Sequence, residues 1–219
     1  VACAPLIVAQ DEGGGSSISI STDGFGELNF GMSIGSFTFN KWDEVRESYR
    51  EIDKEGKNDD SYVSFWVELN MSEAFGVGYR SVVAGKSNTA MDQTAEVQGT
   101  TTTRDIKIES SIPTVHFMPF VNQKQNMKIG IMGGEGTCTY SIETKTDTPA
   151  GEPTTDSIYS TDGTIRMAGV FLHFKGEKWG MRLGRYFFET EFEKILIEGT
   201  EYEVDGSGEA SAFDGFYAF

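Results

Sequence analysis

Two histidines, His116 and His173, are the side chains best suited to acid–base chemistry near neutral pH. Acyl-transfer catalysis by histidine also requires a serine nucleophile within reach and a carboxylate or amide that orients the ring. His116 lies in the stretch PTVHFMPF and His173 in FLHFKG, and neither has an evident serine partner at a neighbouring position. We interpret both as hydrogen-bonded polar groups, with a catalytic histidine as the alternative.

Acidic side chains form the second group with possible chemistry. The segment 189–209 holds eight acids and one lysine, and the segment 145–163 adds Asp147, Glu152, Asp156 and Asp162. Oxygen-rich loops suit Ca²⁺ or Mg²⁺. An ordered Asp-x-Asp-x-Asp-Gly run is absent, so the sequence predicts weak, diffuse Ca²⁺ or Mg²⁺ affinity or a solvated acidic surface, with no specific metal site and no cofactor.

Cysteine usage and net charge exclude several classes of protein. Cys3 and Cys138 form neither a disulfide framework nor a Cys/His cluster for zinc. The formal charge of −16 argues against a nucleic-acid partner, because phosphates require a basic surface. It favours cations, a cationic partner or simple solubility.

Residues 1–25 differ in composition from the rest of the chain. The stretch VACAPLIVAQDEGGGSS has a short apolar run, then acidic and glycine-rich sequence. We interpret 1–25 as an export-signal remnant or a flexible periplasmic lead-in, with lipidation at Cys3 as an alternative. Residues 26–219 are predicted to form one barrel domain.

Alternation of apolar and polar residues with period two predicts strands from residue 27 onward. In ELNFGMSIGSF, Leu28, Phe30, Met32 and Ile34 share one face. Six stretches alternate in this regular way. Two less regular stretches bring the predicted count to eight: 106–121, which contains two prolines, and 164–174, which has apolar residues on both faces.

The connections alternate between short and long. Short ones are predicted around 72–73, 122–126 and 175–178, and long ones at roughly 40–61, 86–104, 145–163 and 195–208. In the first long loop, apolar residues at three- and four-residue spacing predict an amphipathic helix that rests on the barrel rim or binds a partner: Trp42, Val45, Tyr49 and Ile52.

Three features favour a barrel with its apolar faces outward over a lipocalin-like soluble barrel. The polar faces are rich in Gly, Ser and Asn, large aromatic residues lie near the short-turn end, and the long loops leave from one end only. We therefore predict an all-β fold, a closed eight-stranded antiparallel transmembrane barrel with short periplasmic turns and long extracellular loops.

Outward apolar faces would turn six charged residues into the lumen. Buried charges are tolerated only when they are paired and hydrogen-bonded. We predict an ion-pair network that closes the lumen, with a conducting path as the alternative, formed by Glu27, Glu68, Arg80, Lys128, Arg182 and Asp214.

The carboxy-terminal strand, AFDGFYAF, carries Phe213, Tyr217 and Phe219 on one face. With the strand count and loop pattern, it resembles the small eight-stranded outer-membrane barrels of Gram-negative bacteria, the OmpA/OmpX type. The resemblance implies a bacterial outer-membrane location, a role for these aromatic residues in lipid contact and as the signal read by the barrel-assembly machinery, and outer-membrane lipids and lipopolysaccharide as neighbours. The proline-containing fourth strand and the acidity of the loops depart from it.

Function does not follow from such an architecture. Since functional residues of barrel proteins concentrate in loops, we expect a non-enzymatic barrel whose acidic extracellular loops act in envelope structure or bind ions, lipids or a protein partner. The alternatives are a lipid-modifying enzyme of lipid A deacylase or acyltransferase type using His116 or His173, a narrow channel, and a soluble lipocalin-like carrier.

Overall fold

The computed structural model describes residues 26–39, 57–91, 101–122, 127–147, 154–197 and 199–219. Ten strands lie in these ranges. They are β1 (Glu27–Phe39), β2 (Lys57–Asn70), β3 (Phe75–Met91), β4 (Thr101–Asn122), β5 (Met127–Asp147), β6 (Thr154–Lys175), β7 (Trp179–Phe192), β8 (Ile195–Ile197), β9 (Thr200–Tyr202) and β10 (Gly206–Ala218). No helix in the described ranges is long and apolar enough to cross a membrane.

Eight of the strands form a closed antiparallel barrel in the order β1-β10-β7-β6-β5-β4-β3-β2, which confirms the predicted architecture. The barrel closes between β1 and β10, from Asn29 opposite Ala218 to Phe39 opposite Gly208. The three short connections lie at the end where β1 begins and β10 ends, while the long connections lie at the opposite end. We call these the short-turn end and the long-loop end.

Large apolar side chains cover the outside of the barrel next to the short-turn end. This apolar belt is built from alternate residues of all eight strands, and its exposed members include Phe30, Met32, Ile34, Phe65, Phe75, Tyr79, Val115, Phe117, Ile129, Ile131, Val170, Leu172, Trp179, Leu183, Phe213, Tyr217 and Phe219. An exterior of this kind is stable only in contact with lipid, so the barrel spans a bilayer.

Beyond the belt, the polarity of the two barrel faces is reversed. On β4 the outward residues change from Val115 and Phe117 to Glu109, while the buried inward residues change from His116 to Ile108 and Ile106. A membrane-spanning strand needs about 9–11 residues, and β4 has 22. The long-loop half of the barrel therefore stands outside the bilayer, with an apolar interior and a polar exterior like a soluble protein.

The same reversal occurs on β5 and changes the predicted loop boundaries. Ile131 faces lipid, Glu135 is the outward residue four positions later, and Tyr140 and Ile142 are buried inside. The predicted limits of the long loops at 40–61, 86–104 and 145–163 were wrong, because β2 to β6 continue as strands beyond the membrane. The prediction assumed that each strand keeps its apolar side chains on the outward face along its whole length. Beyond the bilayer, the apolar side chains lie on the inward face.

The two prolines of β4 lie where the strand ladder is irregular. The β4–β5 pairing shifts register between Phe117 and Phe120, so Pro119 lies in a β-bulge, and it skips the pairs at Ile112 and Pro113. Proline has no N–H to donate to a ladder and is tolerated at such positions. The two prolines of β4 are therefore accommodated by local irregularities in the β4–β5 pairing.

We expect substitutions to arginine on β5 to depend on depth. Ile131→Arg, in the belt, should lower the free energy of unfolding by about 2–4 kcal/mol, because a lipid-facing charge must be desolvated. Thr137→Arg, on the same outward face but beyond the belt, should change it by less than about 0.5 kcal/mol. Urea titration of protein folded into lipid vesicles measures both, and equal effects would contradict the placement of the belt.

Candidate functional site: the sealed lumen and the protruding surface

A bidentate ion pair crosses the lumen in the membrane-spanning half. Arg182, on β7, donates from Nη1 and Nη2 to the two carboxylate oxygens of Glu68, on β2, with both distances at 2.9 Å. Both side chains are at most 1% exposed. Paired, parallel hydrogen bonds of this type satisfy two buried charges together.

A second ion pair lies beside the first. Arg80 Nη2 donates to Asp214 Oδ2 at 3.4 Å, and Tyr186 donates its hydroxyl to the same oxygen at 3.0 Å. Arg80 Nη1 also donates to Ser33 Oγ at 3.2 Å and to Tyr62 Oη at 3.4 Å. We call Glu68, Arg80, Arg182 and Asp214 the polar plug.

Aromatic rings surround both guanidinium groups. The Arg182 guanidinium lies 4.4 Å from the Phe171 ring and 4.8 Å from the Trp66 ring, and that of Arg80 lies 4.8 Å from the Tyr186 ring. Cation–π contacts gain strength when the cation is desolvated. The rings also fill the space between the ion pairs, so the polar plug is a packed core.

The aromatic residues around the polar plug lie opposite glycines on the neighbouring strands. The register places Gly31 opposite Trp66 and Gly180 opposite Phe216. An added Cβ would lie 2.2 Å from a Trp66 ring atom at Gly31 and 2.1 Å from a Phe216 ring atom at Gly180. The glycines therefore make room for rings that lie flat across the strands.

Both histidines face the lumen and are 1% exposed. His116 Nε2 lies 2.8 Å from Asn70 Oδ1, and His116 Nδ1 lies 3.7 Å from Glu68 Oε2. His173 Nδ1 lies 3.3 Å from Arg182 Nη2, and its ring stacks on Phe216. These contacts make the histidines part of the packing around the polar plug.

The sequence also contains a motif that is typical of serine hydrolases. Residues 31–35, GMSIG, match the pattern Gly-x-Ser-x-Gly, which in hydrolases places the serine on a sharp strand-to-helix turn. Here Ser33 lies inside β1, is fully buried, and accepts a hydrogen bond from Arg80. The motif therefore provides no exposed nucleophile.

The other two predicted lumen charges lie toward the short-turn end and do not pair with each other. Glu27 forms an ion pair with Lys175, and Asn70 donates to Glu27 Oε1 at 3.4 Å. Lys128 donates to the Glu73 backbone carbonyl at 2.9 Å. Lys175 was missed in the sequence because it was assigned to the short connection 175–178, whereas it is the last residue of β6.

A β-hairpin contributes apolar side chains to the interior of the protruding half. β8 and β9 pair with each other from Ile195–Tyr202 to Ile197–Thr200. Ile195, Ile197 and Val204 are at most 2% exposed and belong to the apolar core of the protruding half. The sequence-based interpretation of 195–208 as a long loop missed this hairpin, although ILI before Gly199 is a short apolar run.

The hairpin is attached to the neighbouring strand β6. The Glu193 N–H donates to the Asp162 carbonyl at 3.0 Å, and Thr161 Oγ1 donates to the Glu193 carbonyl at 2.8 Å. We call the hairpin with its buried residues Ile195, Ile197 and Val204 the apolar plug. The lumen is thus filled at two levels, one polar and one apolar.

Charged residues cover the exterior of the protruding half. Arg166 lies within 4.0 Å of three carboxylates, and Lys145 pairs with Asp105 at 3.4 Å and Glu143 at 3.2 Å. In the described ranges, no three His, Cys, Asp or Glu side chains are arranged to hold a metal ion. Inside the wall, burial raises the pKa of the Cys138 thiol to about 12, so it stays protonated.

The remaining predicted residues have the following places. The candidate helix residues Trp42, Val45, Tyr49 and Ile52, and residues 1–25, lie outside the described ranges. Phe213, Tyr217 and Phe219 are exposed on the belt, where Tyr217 and Phe219 form an edge-to-face pair with ring centroids 4.7 Å apart. Their role in assembly stays a prediction.

No protein-family model and no curated protein sequence matches the chain. Solved structures resemble it in fold. The attachment invasion locus protein Ail of Yersinia pestis, in complex with the heparin analogue sucrose octasulfate, is 12% identical, with 89% of this chain and 99% of that chain covered and a TM-score of 0.46.

Two further structures show the same level of similarity. Neisserial surface protein A is 10% identical over 88% of this chain and 96% of its own, with a TM-score of 0.45. The outer membrane protein OprG from Pseudomonas aeruginosa is 11% identical over 89% and 96%, with a TM-score of 0.41. These likenesses concern the fold alone.

The architecture and the bacterial outer-membrane location predicted from the sequence are both confirmed. An even-numbered, closed antiparallel barrel with an apolar belt, short turns at one end and longer loops at the other is the form that spans bacterial outer membranes.

We expect alanine substitutions of glycine to distinguish the lumen from the lipid face. Gly180→Ala should lower the free energy of unfolding by about 1–3 kcal/mol, because the new methyl group overpacks against Phe216. Gly215→Ala is the matched control, since a Cβ there meets no atom within 4 Å. Urea titration in vesicles compares them, and an equal loss in both variants would exclude a tightly packed plug.

We also expect the barrel to be closed to ions. Planar-bilayer recordings of the purified chain should show no steady conductance of porin size. A variant in which 194–202 is replaced by a Gly/Ser linker should also stay closed, because the polar plug remains beneath the hairpin. Large, stable openings in the wild type would contradict the sealed lumen, and openings in the linker variant alone would leave the apolar plug as the only seal.

Proposed function

We propose that the protein is a non-enzymatic, non-conducting outer-membrane barrel that binds a cationic protein partner through the outer surface of its protruding half. The sealed lumen supports this proposal, because it leaves the exterior as the place where another molecule can bind. Loops and rims at the outer end of a rigid scaffold are common places for such surfaces.

The observation that carries the proposal is a pair of exposed apolar residues above the belt. Ile158, on β6, is 67% exposed and Leu196, on β8, is 58% exposed. Most other outward positions on the protruding half are polar or charged. Two large, exposed apolar side chains are unfavourable on such a surface when it contacts only water. Large apolar residues inside a polar rim are typical of the centre of a protein interface.

The two residues lie on segments of the chain that are hydrogen-bonded to each other. The segment that leads into β8 is joined to β6 by one backbone hydrogen bond, from the Glu193 N–H to the Asp162 carbonyl. Ile158 lies four residues before Asp162, and Leu196 three residues after Glu193. The two residues are therefore separated from this hydrogen bond by similar lengths of chain.

The rim of this surface is acidic. Asp162, Glu193, Glu201 and Asp205 are exposed around the junction, and Lys194, which pairs with Glu201 at 3.2 Å, is the one base in the segment 192–205. Complementary charge speeds the encounter with a cationic partner and fixes its orientation. We call Ile158, Leu196 and this acidic rim the β6–β8 surface.

The enzyme hypothesis has weaker support. Both histidines are buried beside Arg182 and Glu68, and the Gly-x-Ser-x-Gly serine is held by Arg80. At 1% exposure, neither ring is accessible to a substrate in this structure.

Site-specific photo-crosslinking in intact cells tests the proposed surface. A crosslinking amino acid at position 158 or 196 should capture a basic protein segment, and capture should fall several-fold at high salt and in a Glu193→Gln/Glu201→Gln variant. The control position is Ser141, on the outward face of β5. Lipid adducts alone, or equal capture from position 141, would exclude the β6–β8 surface.

The same cells distinguish the enzyme hypothesis. Mass spectrometry of lipid A and phospholipids should give identical profiles for wild type, His116→Ala and His173→Ala. A lipid change that disappears in either histidine variant would replace the binding proposal with the enzymatic one.

A further inference from the structure

One edge of β6 is unpaired in the protruding half. The pairing of β6 with β5 continues from Phe174 to Thr154, but its pairing with β7 ends at Gly163. Between Thr154 and Thr161, β6 is therefore paired on one side only in the part of the chain that the structure describes. Such an edge presents backbone N–H and C=O groups with which a further strand can pair. We call this stretch the free edge of β6.

The chain after β7 turns away from this edge. The Glu193 N–H still donates to the Asp162 carbonyl at 3.0 Å, but the Glu193 carbonyl accepts from the Thr161 hydroxyl at 2.8 Å. Thr161 is buried on the inward face, so the chain is directed toward the interior, where Ile195 and Ile197 are at most 2% exposed. Accordingly, β8 pairs with β9 and forms no ladder with β6.

The direction of the free backbone groups follows from the same hydrogen bond. In an antiparallel pair, the N–H and C=O of one residue point to the same neighbour, and the side alternates along the strand. The β5–β6 pairing is regular from Ser157 onward. Because the Asp162 carbonyl points toward Glu193, the backbone groups of Ser160 and Ile158 point to the free edge. Both residues are exposed, so these groups are accessible.

The side chains at this edge favour one kind of partner. Edge strands are commonly protected by charged side chains or proline, but Ile158 and Ser160 provide neither. Asp162 and Glu193 are exposed at the end of the edge that is nearer the membrane. Residues that lie opposite each other on paired strands share one face of the sheet. The edge therefore fits a strand with an apolar residue beside Ile158 and a basic residue near the two acids.

We propose that the cationic partner binds by strand addition, in which an extended segment of it pairs with the backbone groups of Ile158 and Ser160. An apolar residue of that segment packs beside Ile158 and Leu196, and a basic residue pairs with Asp162 or Glu193. Main-chain hydrogen bonds provide affinity in such complexes, and side chains provide specificity. This inference rests on the proposed function and specifies the conformation of the partner.

Amide hydrogen exchange, measured by NMR on the full chain in detergent micelles, tests the backbone contact. The probe is a capped peptide of about eight residues, Lys-Thr-Val-Thr-Lys-Thr-Val-Thr, which carries its basic and apolar residues on one face when extended. At saturating peptide, exchange at Ile158 and Ser160 should slow about tenfold, because hydrogen-bonded amides exchange only through local opening.

The control peptide has the same sequence with every backbone nitrogen methylated. It keeps the charges and the side chains, but it cannot donate to a ladder or fit into one. It should not slow exchange at Ile158 or Ser160. Equal protection by the two peptides, or no protection by the unmethylated one, would overturn strand addition.

A matched pair of variants tests the same contact from the side of the barrel. Ser160→Pro removes an N–H that points to the free edge, where proline is tolerated, and leaves the pairing with β5 in place. Protection of Ile158 by the peptide should be lost in Ser160→Pro and kept in Ser160→Ala. Heat-modifiable gel migration establishes that each variant is folded. Unchanged protection in folded Ser160→Pro would contradict the proposal, and the methylated peptide decides the matter if this variant does not fold.

Crosslinking in intact cells separates this inference from the proposed function. Capture of a basic protein from position 196 should fall several-fold in Ser160→Pro and stay unchanged in Ser160→Ala. Undiminished capture in folded Ser160→Pro would overturn strand addition alone and leave the β6–β8 surface as the binding site. Absence of salt-sensitive capture from both positions 158 and 196 would overturn the proposed function and strand addition with it.

Discussion

A chain that crosses a bilayer as strands must pair every backbone N–H and C=O group with another strand, because lipid offers no hydrogen bonds. The pairing of β1 with β10 meets this requirement by removing the two edges that an open sheet would leave. Closure with eight strands then sets the width of the lumen, which is just enough for side chains to fill. The packing inside and the exposure outside both follow from this closure.

Charged side chains that fill the narrow lumen of the membrane-spanning half must be neutralised. Two arginines and two acids are neutralised in pairs, and a buried pair that loses one partner is costly by about 3–5 kcal/mol. The aromatic rings and their partner glycines pack around these pairs, so charge, shape and strand register depend on one another. This dependence explains why glycine is frequent on the inward faces, as it provides the space that each ring occupies.

In the protruding half, the same strands place apolar side chains inside the barrel and polar side chains outside. Outside the bilayer the surroundings are water, so apolar side chains turn inward and the hairpin supplies the last of them at the mouth. This arrangement produces a rigid, sealed and mostly acidic surface, on which Ile158 and Leu196 are exceptions. The proposed protein contact begins from these two residues, which do not match their surroundings.

The sequence alone determined the number of barrel strands, the closed antiparallel architecture and which face of each regularly alternating strand meets lipid, because a period of two assigns side chains to faces without knowledge of neighbours. It also assigned Glu68, Arg80, Arg182 and Asp214 to the same face. It did not show that they would form two pairs, because that pairing depends on the register between strands far apart in the chain.

Only the tertiary structure decided the rest. The reversal of polarity beyond the belt was hidden, since 164–174 reads apolar on both faces where the lipid-facing and core-facing patterns overlap. The hairpin at 195–202 was hidden as well, because three-residue strands are stable here only through burial of Ile195 and Ile197 in the barrel mouth. Lys175, the partner of Glu27, lies 148 positions away along the chain. Such partners are brought together by closure of the barrel, which local sequence patterns do not encode.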